Sequence, residues 1–137
     1  MFVLLTSIAA VHAYWAFGGL WPAQSEQELV DTVVGAPDLK QMPSTFSTLL
    51  VAVLIFMSGI MARAVNYVRL GMLRSVLRIG VGVLAIIFLA RGAAGYALPL
   101  IYDLAVSEPF ATLNAVFYSP LILLIGCGFA FLTFAKQ

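Results

Sequence analysis

Four long apolar runs divide the chain, at about Phe2 to Leu20, Ser44 to Ala62, Val76 to Leu98 and Ala115 to Phe134. Each is close to the ~20 residues a helix needs to cross a ~30 Å hydrocarbon layer. Lipid offers backbone polar groups no partner, so the interior of each run is expected to be helical. The breaks carry matching signals. Trp21-Pro22 closes the first run, and Pro43 followed by Ser44 opens the second, with Ser44 as a cap. Pro99 is expected to end the third, and Tyr118-Ser119-Pro120 falls in the first turns of the fourth, where proline is tolerated. The predicted fold is an all-α membrane protein: one domain, residues 1–137, forming an antiparallel bundle of four transmembrane helices.

The charged residues between the runs are sorted by sign, apart from Lys40, which lies with the acids after the first run. Glu26, Glu28, Asp31 and Asp38 follow the first run, and Asp103 and Glu108 follow the third. Arg63, Arg69, Arg74 and Arg78 cluster between the second and third, and Lys136 follows the fourth. Cytoplasmic loops gather Lys and Arg, so both termini are expected inside and the two acidic segments outside. The arginine cluster also suits anionic headgroups, at roughly 1 kcal/mol per charge near the surface; plain marking of topology is the simpler reading. Residues 25–34 (SEQELVDTVV) have the pattern of one or two amphipathic turns lying on the outer surface.

Composition strengthens the membrane reading and removes other classes. The chain is 63% hydrophobic and 9% charged, with a mean hydropathy of +1.06; soluble domains are about 25% charged. A net charge of +1 gives no footprint for nucleic acid. The N-terminal run lacks a charged leader region and continues into His12, Tyr14 and Trp15, so it is read as a retained span and not a signal peptide. A single cysteine, Cys127, excludes an internal disulfide or CxxC pair, and is read as a small packing residue. With one histidine, one cysteine and no carboxylate inside a span, no metal cage or bis-histidine haem is expected within a monomer. No nucleotide-binding loop is present, and the composition names no cofactor.

Two ionisable groups lie within apolar runs, both about two turns below the outer end: His12 in the first and Arg91 in the third. An arginine at a helix centre costs ~2.5–3.5 kcal/mol on insertion scales, so such residues usually face protein and a partner, or else snorkel to the interface. His12, Trp15, Ala16 and Gly19 share one helix face by spacing. Tyr96 lies about one turn above Arg91, with Gly92 and Gly95 beside it, and Asn114 and Tyr118 are i, i+4 neighbours on the fourth run. Three runs thus bring polar or aromatic groups to one depth. The candidate ligand-binding set is His12, Trp15, Arg91, Tyr96, Asn114 and Tyr118. The plainer alternatives are an interhelical hydrogen bond for His12 and a headgroup-level aromatic belt, which accounts for Trp21, Tyr102 and Tyr14. Small residues at close-packing spacing, Ala9, Ala13 and Ala16, then Ala90 and Ala94, mark helix contacts.

The stretch His12-Ala13-Tyr14-Trp15-Ala16-Phe17-Gly18-Gly19-Leu20-Trp21-Pro22 resembles the signature of an uncharacterised bacterial family, domain of unknown function 3995. Leu77-Arg78-Ile79-Gly80, Phe88-Leu89-Ala90-Arg91-Gly92 and Tyr118-Ser119-Pro120-Leu121 extend the likeness over nearly the whole chain. The resemblance implies a short four-span protein of the bacterial inner membrane and supplies no activity.

Three functions remain open. The first is a binder whose outward-facing pocket, built on His12, Trp15, Arg91 and Tyr118, holds a small lipophilic molecule such as a quinone or a lipid headgroup. The second is an accessory subunit of a larger membrane complex, with Arg91 pairing to a partner carboxylate. The third is a membrane enzyme using His12 as acid and base.

Overall fold

The computed structural model describes residues 1–68, 71–102 and 106–135, and the side chain of Tyr102 is not among what it describes. Arg69, Asp103 and Lys136, used above in the sorting of charge, lie outside the described residues. Every regular element among them is helical: α1 (Phe2–Ala16), α2 (Glu26–Val33), α3 (Thr45–Tyr67), α4 (Gly71–Tyr102), α5 (Phe110–Leu113) and α6 (Ser119–Phe134). A π-helical turn, Asn114–Tyr118, joins α5 to α6 without a break. The helices α3, α4 and the continuous Phe110–Phe134 segment are each long and apolar enough to cross a membrane. Large apolar side chains such as Val3, Phe46, Leu54, Ile79, Ile86, Leu124 and Phe131 stand exposed along them. Soluble monomers rarely carry such a continuous apolar surface, and an exterior of this kind is suited to lipid.

Helix boundaries depart from the hydropathy reading at several points. The first run was expected to be helical to Leu20, but α1 stops at Ala16 after 15 residues. Gly18 turns the chain with φ +85°, and Gly19 passes so close beneath the Tyr14 ring that a Cβ there would overlap it. At about 22 Å, α1 is shorter than the hydrocarbon layer. The other helices are longer than expected: α3 continues past Ala62 to Tyr67, and α4 starts at Gly71 instead of Val76. Their added turns carry Arg63 and Arg74, whose long side chains let a helix continue into the headgroup zone although hydropathy falls there. Pro99 does not end the third run; α4 continues through it to Tyr102. The fourth run begins at Phe110, before Ala115. The expected Ser44 cap is present, its side chain accepting from the Ser47 N–H.

The helices pair as α1 with α3 and α4 with α6. Glycines let the second pair approach closely. A Cβ on Gly92 would press on Leu123 across the interface, and one on Gly126 would press on Leu89. Gly59 does the same for α3 against Leu5 and Phe2 of α1. Of the alanines expected at contacts, Ala9 and Ala16 are buried, whereas Ala90 is exposed. The two pairs meet through a core of Leu5, Ala62, Val65, Val81, Ala85, Ile125 and Phe129. Those residues come from the α1 start, the α3 end, the first half of α4 and the middle and later turns of α6, so the core lies toward one end of the molecule. At that end Arg78 donates to the oxygens of Thr133 (2.8 and 3.2 Å) and Ala135 (3.3 Å), satisfying carbonyls that the last turn of α6 leaves unpaired.

The opposite end is closed by α2. Ser25 caps it, accepting from the Glu28 N–H at 3.2 Å, while Glu28 Oε2 accepts from the Gln24 N–H at 2.9 Å. Leu29 and Val30 are buried, while Glu26 and Glu28 stay exposed. This is the amphipathic surface helix expected from the sequence. Gly35 ends it with φ +72° and lies against the Phe110 ring, and its oxygen accepts from the Ser107 N–H at 3.2 Å. The helix is thereby pinned to the start of the last span.

Candidate functional site

The six residues singled out by sequence fall into four separate settings. His12 and Trp15 come together, their ring centroids 5.2 Å apart. With Val33, Val34, Met42, Pro43, Ser47, Thr48 and Val51 they line a cavity of about 190 Å³ between α1, the end of α2 and the start of α3. Trp15 is fixed by donating its Nε1–H to the Trp21 oxygen at 2.7 Å. His12 Nδ1 lies 2.9 Å from the oxygen of Ile8. A carbonyl can only accept, so Nδ1 carries a proton, and in the neutral ring Nε2 is then left as an acceptor. Ser47 and Thr48 are already engaged: Ser47 donates to the Ser44 oxygen, and Thr48 lies 3.4 Å from that of Pro43. With those two hydroxyl protons engaged, the lining offers a ligand acceptors: the hydroxyl oxygens and, in the neutral ring, His12 Nε2.

Tyr96 and Asn114 meet at the α4–α6 interface instead. Asn114 Nδ2 donates to the Gly95 oxygen at 2.7 Å, and Ser119 Oγ donates to Asn114 Oδ1 at 3.0 Å. Pro99 has no N–H to give the carbonyl four residues before it, and that carbonyl is Gly95. Tyr96 performs the same service in reverse, donating its hydroxyl to the Ala115 oxygen at 2.8 Å. The Ser119 N–H bonds to Asn114, five residues back, so in this π register Ala115 would be served by residue 120, which is proline. Each proline strips one carbonyl, and each carbonyl is met by a side chain from the other helix. A Cβ at Gly95 would collide with Ser119 Oγ, so the network requires glycine there.

Tyr118 donates its hydroxyl to the Thr32 oxygen at 3.1 Å and packs on Phe110 with centroids 5.8 Å apart. It thus borders the last turn of α2, whose next residues, Val33 and Val34, wall the His12 cavity. Arg91 stands apart. It is exposed on α4, and no group among the described residues bonds its guanidinium. The residues that complete the cavity, Val33, Val34, Met42, Thr48 and Val51, were not picked out by sequence. The usable signal was the apolar stripe of residues 29–33 in an otherwise acidic segment, which required something to cover.

No group of three or more His, Cys, Asp or Glu suited to a metal ion occurs among the described residues. Cys127 is exposed, so it is not the packing residue that its sequence position suggested.

No curated protein and no solved structure matches the chain. The family described as Protein of unknown function (DUF3995) matches residues 5–129. That match covers α3, α4, most of the Phe110–Phe134 segment, the His12 stretch and the cavity walls, and on it the chain belongs to the DUF3995 family.

Proposed function

We propose that this protein is a small four-span binder of the bacterial inner membrane, with both termini cytoplasmic and α2 on the outer surface. Its cavity beneath α2 receives the polar head of a lipophilic molecule. The observation that carries this reading is the His12 ring, which lines the cavity and is held by the 2.9 Å contact of its Nδ1 with the Ile8 oxygen; in the neutral ring that contact leaves Nε2 as an acceptor. Such a site selects a hydroxyl donor, as on a quinol ring or a hydroxylated lipid head. At about 190 Å³ the cavity is below the ~300–1,000 Å³ of pockets that enclose a whole ligand. It suits one ring or headgroup, with the tail left in the bilayer beside α1 and α3.

The ligand set narrows accordingly to His12 and Trp15, with Tyr118 holding the α2 wall in place through Thr32. Mass spectrometry of organic extracts from purified protein tests the reading. Wild type should carry one enriched lipophilic species bearing a hydroxyl, and His12→Ala should lose it while remaining folded. An equal extract from both proteins refutes the assignment.

A second reading, an accessory subunit of a membrane complex, is favoured by one observation. Arg91 is exposed among the lipid-facing side chains Ile86, Ile87 and Leu98 of α4. A partner helix carrying a carboxylate at that depth would relieve its cost. Native gels of mildly solubilised membranes separate the two, because a subunit migrates in a large assembly that Arg91→Leu disrupts.

A further inference from the structure

We infer a second binding site at the opposite end of the molecule: a cleft at Arg63 that holds the phosphate of an anionic phospholipid. The cleft, about 300 Å³, is lined by Met1, Phe2, Ala62, Arg63, Asn66, Tyr67, Gly128, Phe131 and Leu132. It exists because Ala62 and Gly128 present almost no side chain between the end of α3 and the second half of α6. Arg63 lies over two aromatic rings, its Cζ 5.8 Å from the Phe2 centroid and 5.2 Å from that of Tyr67. Cation–π attraction is to the ring quadrupole and does not of itself consume the guanidinium's N–H donors.

Among the described residues no carboxylate answers that charge. Glu26, Glu28, Asp31, Asp38 and Glu108 lie before the start of α3 or after the end of α4, away from the end that carries Arg63. Arg78, by contrast, is consumed by the carbonyls that end α6. A planar fork held by two rings suits a phosphate better than a point charge does. The walls decide between sources. Beyond Arg63, Asn66 and Tyr67 they are apolar, and Phe131 opens onto the lipid-facing surface with 72% of its area exposed. A free phosphate gains nothing from Gly128, Phe131 and Leu132, whereas an acyl chain lies along them.

The test is native mass spectrometry of the full chain in mild detergent with phosphatidylglycerol or phosphatidylcholine added. Wild type should retain one phosphatidylglycerol and keep it against excess inorganic phosphate. Arg63→Gln should lower that retention about tenfold, to the level of phosphatidylcholine. Gly128→Leu should lower it similarly with Arg63 intact, by filling the cleft; the Cβ there meets only the flexible end of Met1. Equal retention of the two lipids, displacement by phosphate, or undiminished binding in both variants would each overturn the site.

Discussion

Asn114 donates its side-chain amide to the main-chain oxygen of Gly95, the carbonyl that Pro99 leaves without an N–H. The pair explains why a proline three residues from a helix end neither breaks α4 nor exposes an unpaired group to lipid. It also makes Asn114 conditional on Pro99. Asn114→Leu should destabilise the protein by about 1–3 kcal/mol, the cost of an unsatisfied buried acceptor. In a Pro99→Ala background, where the helix serves Gly95 itself, the same change should cost about 1 kcal/mol less. Thermal unfolding of the four variants in detergent measures the cycle, and strict additivity would remove the link.

Glycine at position 95 is a matter of space. Gly95→Ala places a methyl on Ser119 Oγ, so it should lose about 1–3 kcal/mol to overpacking and lower the folded yield. Gly71→Ala is the control, since a Cβ there meets open space. Helix propensity alone favours alanine at both positions, so a gain at position 95 like that at 71 would mean that the α4–α6 contact imposes no demand for glycine.

Arg78 binds the end of α6 through two carbonyl oxygens. Hydrogen bonds from a charged donor are worth about 1.5–3 kcal/mol, so Arg78→Ala should fray the last turn of α6. Faster amide exchange confined to residues 131–135 is the expected signature. Unchanged exchange there would show that water serves these carbonyls equally well.

Much of this was legible from the pattern of apolar residues, and the failures share a cause. Three long apolar helices, the surface helix at 26–33 and the Ser44 cap all follow from hydropathy and local capping chemistry. Pro99 misled because its compensation comes from Asn114, 15 positions on in the sequence and on another helix. The candidate residues were grouped by expected depth, and depth does not say which helices are neighbours. α1 packs on α3 and α4 on α6, so His12 and Trp15 were separated from Tyr96 and Asn114. The polar demand of those last two is met by the orphaned carbonyls of proline-bearing helices, a non-local requirement that a single run of sequence does not display.

Arg91 gives a test of exposure. Its removal relieves an insertion cost of up to ~3 kcal/mol, so Arg91→Leu should insert at least as well as wild type. In a Cys127→Ser background, Arg91→Cys should react with a lipid-soluble maleimide and resist a membrane-impermeant one. Ready labelling by the impermeant reagent would mean that the α4 face opens to water.

Binding of a hydroxyl-bearing lipophilic head against His12, in the cavity beneath α2, can be read from Trp15 fluorescence. Trp15 lies in the cavity wall, so a short-chain quinol titrated into the purified protein in a Trp21→Phe background should quench its emission saturably. His12→Ala should weaken binding about tenfold, the worth of one buried hydrogen bond, and Thr48→Phe should abolish it by filling the cavity. Quenching that never saturates, or that is identical in wild type, His12→Ala and Thr48→Phe, would contradict binding at this site.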